Sequence, residues 1–141
     1  MDERTKIFTK VASRLNIRNT PGNVVSHVAL LKRIFDKNKI KTTIMRGFCY
    51  VHNTKEVCNH YWLRDEFGVD FDISFEVAKL KNPLLMSLHV ALLEKAPIGI
   101  EPIDKDETEI ISSNKRLYEL LKYEPEQFWL EAPVEIKSFK I

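Results

Sequence analysis

The sequence predicts an α+β domain in which N-terminal helices pack on an antiparallel sheet, on three observations. Apolar residues recur at helical spacing through the first forty positions. From Lys41 to Ser74 they give way to short β-branched and aromatic runs parted by polar loops. After about residue 104 helical spacing returns, as a helical C-terminal extension over 104–141.

Each element follows from its own pattern. Ile7, Phe8, Val11, Ala12 and Leu15 mark one face of a helix over about 3–15, with Lys6, Lys10 and Arg14 on the other. Asn19-Thr20-Pro21-Gly22-Asn23 carries turn chemistry, and Asn23 can cap the next helix. That helix runs from Val24 to near Asn38 on the stripe Val24, Val28, Leu31, Ile34 and Phe35. Three runs then form a meander: TTIMRGFCYVH, VCNHYWLRD and VDFDIS, separated by NTKE and by the turn Glu66-Phe67-Gly68. Asn82-Pro83 can start a helix, yet Leu88, Val90 and Leu92 alternate, which predicts a strand at about 87–93. Acidic residues crowd the first turn of a helix over 106–122 whose face is Ile110, Ile111, Leu117, Tyr118 and Leu121. Pro125 opens a last short helix through Phe128, Trp129 and Leu130, stopped by Pro133.

Length and composition bound the function. At 141 residues the chain makes one domain, large enough to bury about two-thirds of its unfolded surface. Twenty-two basic against twenty acidic residues leave +2, with the signs interleaved, so neither nucleic acid nor an anionic membrane is an expected partner. The longest apolar stretch, Pro83 to Leu93, is far short of the roughly 20 residues that span a bilayer. The charged start MDERTKIF lacks the apolar core of a signal peptide, and two cysteines do not make a disulfide framework; a cytoplasmic location is the expectation.

The most informative run is NHYWLRDEFGVDFDIS. It places His60 on one strand and Asp72 on the next across a tight turn, so that imidazole and carboxylate become neighbours. Such a pair is the orienting half of a Cys-His-Asp or Ser-His-Asp site, and equally a structural pairing of a half-buried histidine. The order of a Gly-bearing turn, a helix with Leu30-Leu31, Ile40, the strand Met45-Arg46-Gly47-Phe48, then His60-Tyr61-Trp62-Leu63 and Asp70-Phe71-Asp72 resembles the transglutaminase-like superfamily. The resemblance covers residues 20–75. It implies a papain-like core with His60 as base and Asp72 as its orienting partner; Asp70, on the same strand face, is the reserve.

The family's nucleophilic cysteine, at the start of the buried helix, corresponds to Val24, or to Asn23 or Val25 if the register slips by one. A thiol belongs there physically, since a helix N-terminus favours thiolate, but none of the three supplies one. Ser26 points about 200° around the axis from Val24, as a capping or solvent-facing hydroxyl. Cys49 is the better replacement: a hairpin closed symmetrically over NTKE pairs 52 with 57, hence 49 with 60, with Cβ atoms about 5 Å apart. Cys49 also suits a buried apolar position.

Cys58 shares the strand face of His60, but Cys49, His52, Cys58 and His60 lack C-x-x-C spacing, so no metal and no cofactor is expected. His27 and His89 read as satisfied or surface histidines. Trp62, Phe67 and Phe71 should pack the sheet, while Phe128 and Trp129 dock the last helix.

Two functions are compatible with this pattern. One is a non-catalytic binding or interaction domain on a degenerate transglutaminase-like site, with a protein or peptide partner. The other is a cysteine-type amide or ester hydrolase or acyltransferase using Cys49 with His60 and Asp72. The apolar Val24 favours the first, and oligomeric state is left open.

Overall fold

The structure, a computed structural model, describes residues 2–18, 24–101 and 108–139, with side chains of the last segment described from residue 115. It is a mixed α/β architecture of helices and a four-stranded antiparallel sheet. The expected Asn19–Asn23 turn and the Ile110 and Ile111 side chains lie outside the described residues.

Helix α1 spans Glu3–Ile17, its first turn closed by the Asp2 carboxylate, which accepts from the Thr5 amide at 2.8 Å. Helix α2, Val24–Lys37, buries Val25, Val28, Leu31 and Phe35. Ser26 is fully buried on α2, which corrects the solvent-facing placement: near the helix start both flanks of the stripe are covered.

Strands β1 (Thr42–Val51) and β2 (Glu56–Asp65) form the central hairpin. Its loop is residues 52–55, one position earlier than NTKE, because His52 turns away to donate its amide to the His89 carbonyl at 2.8 Å while Lys55, at φ 59°, donates its amide to Val51. Val51 therefore opposes Glu56, Cys49 opposes Cys58, and Gly47 opposes His60. The expected pairing of 49 with 60 is corrected by an even shift of two residues, which changes the opposing partner but keeps every side chain on its face.

The third run is mostly not strand. Strand β3 is only Asp70–Phe71, and helix α3, Ile73–Lys81, begins where the strand was expected to continue. A 3₁₀ turn at Pro83–Ser87 precedes β4, Val90–Leu93, shorter than the expected 87–93. The sheet order is β3-β2-β1-β4. Helices α4 (Thr108–Tyr123), α5 (Pro125–Glu131) and α6 (Val134–Lys137) complete the chain; α6 forms beyond Pro133, where no further helix was expected.

Strand alternation sorts the sheet into two faces. Tyr61, Leu63, Phe71 and Ile44 enter one hydrophobic cluster with Val11, Leu15, Val28, Phe35, Leu117, Phe128 and Ile136, so that α1, α2 and the C-terminal helices share one core. Cys49, Cys58, His60 and Trp62 lie on the opposite face. Trp62 is fully buried there and Phe71 nearly so on the other face, whereas Phe67 sits at the turn tip 75% exposed under the Arg4 guanidinium, a correction to its sheet-packing role. Gly68, at φ 82°, takes a conformation that glycine adopts without penalty. Among the described residues no helix is long and apolar enough to cross a membrane.

Candidate functional site

The site is set by where β2 and α3 meet. His60 lies near the middle of β2, 8% exposed, and its Nε2 is 2.8 Å from Asp72 Oδ2. Asp72 is not on a strand: it is the N-cap of α3, its Oδ1 accepting from the Phe75 amide at 3.2 Å. One carboxylate oxygen thus starts a helix while the other holds the imidazole. With Asp72 as acceptor, Nε2 carries the donated proton and Nδ1 is the nitrogen that remains for a second partner.

Burial disfavours the charged imidazole, but the hydrogen bond and charge of Asp72, with a smaller contribution from Cys58, outweigh it and raise the His60 pKa above its ordinary value. The ring stacks on Trp62 at a centroid distance of 6.3 Å. Asp70, the reserve partner, is engaged elsewhere: its Oδ1 accepts from Trp62 Nε1 at 3.0 Å and from Arg64 Nε at 2.8 Å. Arg64 in turn donates to Glu94 at 2.7 Å. Asp70 therefore holds the tryptophan that backs the histidine, and Asp72 holds the histidine itself.

Gly47 is required opposite His60. A Cβ there would collide with the Leu93 carbonyl oxygen of β4 and come within 2.8 Å of the Trp62 ring. The missing side chain lets β4 and the indole close over this face of β1.

The thiols sit as follows. Cys49 is 6% exposed and opposite Cys58, and the Cys58 thiol donates to the Cys49 carbonyl oxygen at 3.8 Å. A hydrogen bond with the Cys58 thiol, then burial, pushes the Cys49 thiol strongly up, away from the thiolate that nucleophilic attack requires. Among the described residues, the hydrogen-bond, ring and charge partners of His60 are Asp72, Trp62 and Cys58. The thiol beside His60 is thus that of Cys58, two residues away on the same strand face.

Val24 opens α2, half-buried, and packs against the helical core. His27 is half-buried and His89 exposed, while exposed His52 meets the Tyr50 ring edge-on at 4.7 Å. Among the described residues no group of three or more His, Cys, Asp or Glu is arranged to hold a metal ion. The cap function of Asp72 is the feature that strand-based reasoning missed; an Asp followed by the i, i+4 apolar pair Ile73 and Val77 was its signal.

A separate cavity of about 690 Å³ opens between α1, α2 and the C-terminal turn. Leu30 and Ile34 contribute apolar lining, and Lys10, Arg33, Lys37 and Lys137 supply four cations. Among the described residues Lys10, Arg33 and Lys37 form no ion pair. Compared with known proteins, the chain matches no family model, no curated protein and no solved structure.

Proposed function

We propose that this chain is a non-catalytic binding domain on a transglutaminase-like scaffold, in which the His60–Asp72 pair is kept for structure. The observation that carries the reading is the state of the two nucleophile positions. Val24, at the head of α2, is apolar, and Cys49 is buried with its thiol pushed toward the neutral form. An imidazole with its orienting carboxylate but without an activated nucleophile at either of these two positions cannot form an acyl intermediate there. Asp72 has sufficient structural reason to be there, since it caps α3.

The binding surface in this reading is the cavity between α1, α2 and the C-terminal turn. Its size falls within the range of ligand sites, roughly 300–1,000 Å³. Its cations and apolar floor complement an acidic segment of a protein partner in which carboxylates alternate with aliphatic side chains.

The test has two arms. Incubation with a panel of activated amides and esters, followed by intact mass measurement, should yield neither turnover nor an acyl adduct. Binding of a fluorescein-labelled peptide alternating Glu and Leu, followed by anisotropy, should weaken at least tenfold in Lys10→Glu/Lys37→Glu. An acyl adduct on Cys49 or Cys58 would restore the hydrolase or acyltransferase reading. Peptide affinity unchanged by the charge reversal would remove the cavity as the binding surface.

A further inference from the structure

We infer that Cys49 and Cys58 form a dithiol that a disulfide oxidant, such as glutathione disulfide, converts to an intrachain disulfide linking β1 to β2 beside His60. The inference does not depend on the transglutaminase-like reading.

Three geometric facts carry it. The two cysteines are directly opposed in the antiparallel ladder. Directly opposed residues have Cα atoms about 4.5–5.5 Å apart and side chains on one face, inside the Cα window of about 4.4–6.8 Å that a disulfide needs. The Cys58 side chain also leans toward its partner: its thiol reaches across the ladder to the Cys49 carbonyl oxygen at 3.8 Å. Neither is in a disulfide in this structure.

The two thiols differ in a way that sets the order of events. Cys58 is half-buried and neighbours His60, whereas Cys49 is 6% exposed. Cys58 is therefore the thiol that a disulfide oxidant in solution reaches first. Cys58 thiolate attacks one sulfur of glutathione disulfide, breaking its S–S bond, forming a mixed disulfide and releasing one glutathione thiolate. That thiolate or solvent takes the Cys49 proton. The Cys49 sulfur then attacks the Cys58 sulfur, the mixed disulfide breaks, and a second glutathione leaves. Two protein thiols are oxidised by two electrons, and one glutathione disulfide is reduced to two thiols.

The sequence supplies a direct readout. Trypsin cuts after Arg46, Lys55 and Arg64, so Cys49 falls in peptide 47–55 and Cys58 in peptide 56–64. The reduced native protein is equilibrated anaerobically with glutathione disulfide, quenched by alkylation and digested without reductant. The expected product is the 47–55 peptide linked to the 56–64 peptide. In Cys49→Ser the expected product is glutathione on Cys58, whereas in Cys58→Ser residue 49 should stay unmodified until the protein is unfolded in urea. Peptides that carry separate glutathiones without a link, or that remain alkylated as thiols at oxidant levels that link them in urea, would overturn the inference.

Discussion

Asp72 joins His60 to the start of α3: one carboxylate oxygen lies 2.8 Å from the imidazole and the other accepts the Phe75 amide at 3.2 Å. The position of the histidine ring is therefore tied to the folding of the helix that follows the sheet.

Asp72→Asn separates these two roles, because asparagine is as good an N-cap as aspartate but carries no charge. The His60 pKa should fall when measured by NMR titration. Since the folded value is raised, the pair's stabilisation is complete below the unfolded value of about 6.5 and is lost as pH rises through the folded one. Urea unfolding should show Asp72→Asn destabilised by about 1.5–3 kcal/mol on the acidic side of that window, where the bond is to a charged group. The difference should shrink at alkaline pH; a pH-independent difference would mean that the charge of Asp72 does not act on His60.

Asp65 governs the turn that brings Asp72 back to His60. Its Oδ1 accepts the Phe67 and Val69 amides, both at 2.9 Å, and its Oδ2 accepts from Arg4 at 2.8 Å. Burial pushes this carboxyl up, but the Val69 amide, Arg4 and the Phe67 amide together hold it below its ordinary value. Asp65→Ala should cost about 1.5–3 kcal/mol near neutrality. A depressed carboxyl stabilises above its unfolded pKa of about 3.9, so the gap between wild type and Asp65→Ala should close as pH falls through the lower folded value. Chemical denaturation at a series of pH values checks both parts.

Gly47→Ala should destabilise the protein by about 1–3 kcal/mol, the usual cost of overpacking. The new methyl group meets the Leu93 carbonyl oxygen, which is backbone and cannot rotate aside, and the Trp62 ring at 2.8 Å. Hydrogen exchange should quicken first in the β1–β4 pairing. An alanine variant of wild-type stability would show that β4 does not approach Gly47 this closely.

The elements with a single strong period were legible in the sequence: α1, α2, the two long strands and α5 lie close to the expected positions because one apolar face dictates each. The stretch from Asp70 to Ser87 was not. Asp70-Phe71-Asp72 alternates like a strand, but Asp72 caps a helix, and only Ile73 and Val77 signal the change of period. Proximity of His60 and Asp72 was readable because it needs only a short turn between them. The opposition of Cys49 to Cys58 was not, because it depends on His52 leaving the ladder to pair with His89, a contact across 37 residues that no local pattern encodes.

Val24→Cys tests the site inferred by resemblance. Val24 is the first residue of α2 and half-buried against the core, so exchanging it for a thiol of similar size should cost no more than about 1.5 kcal/mol. The partners of His60 among the described residues come from its own strand and from Asp72. A thiol at 24 will therefore be activated only if the head of α2 and the imidazole converge. In the transglutaminase-like arrangement the helix end and the imidazolium both favour thiolate, so the new thiol should titrate below the ordinary value of about 8.5. Its iodoacetamide reactivity near neutral pH should fall in Val24→Cys/His60→Ala, with Cys49 and Cys58 replaced by serine to remove their background. Turnover need not return with the thiol, because oxyanion donors and an acceptor pocket are also required. A thiol at 24 that titrates at or above the ordinary value, unaffected by His60→Ala, would separate α2 from the histidine. The His60–Asp72 pair would then be explained by the capping of α3 alone.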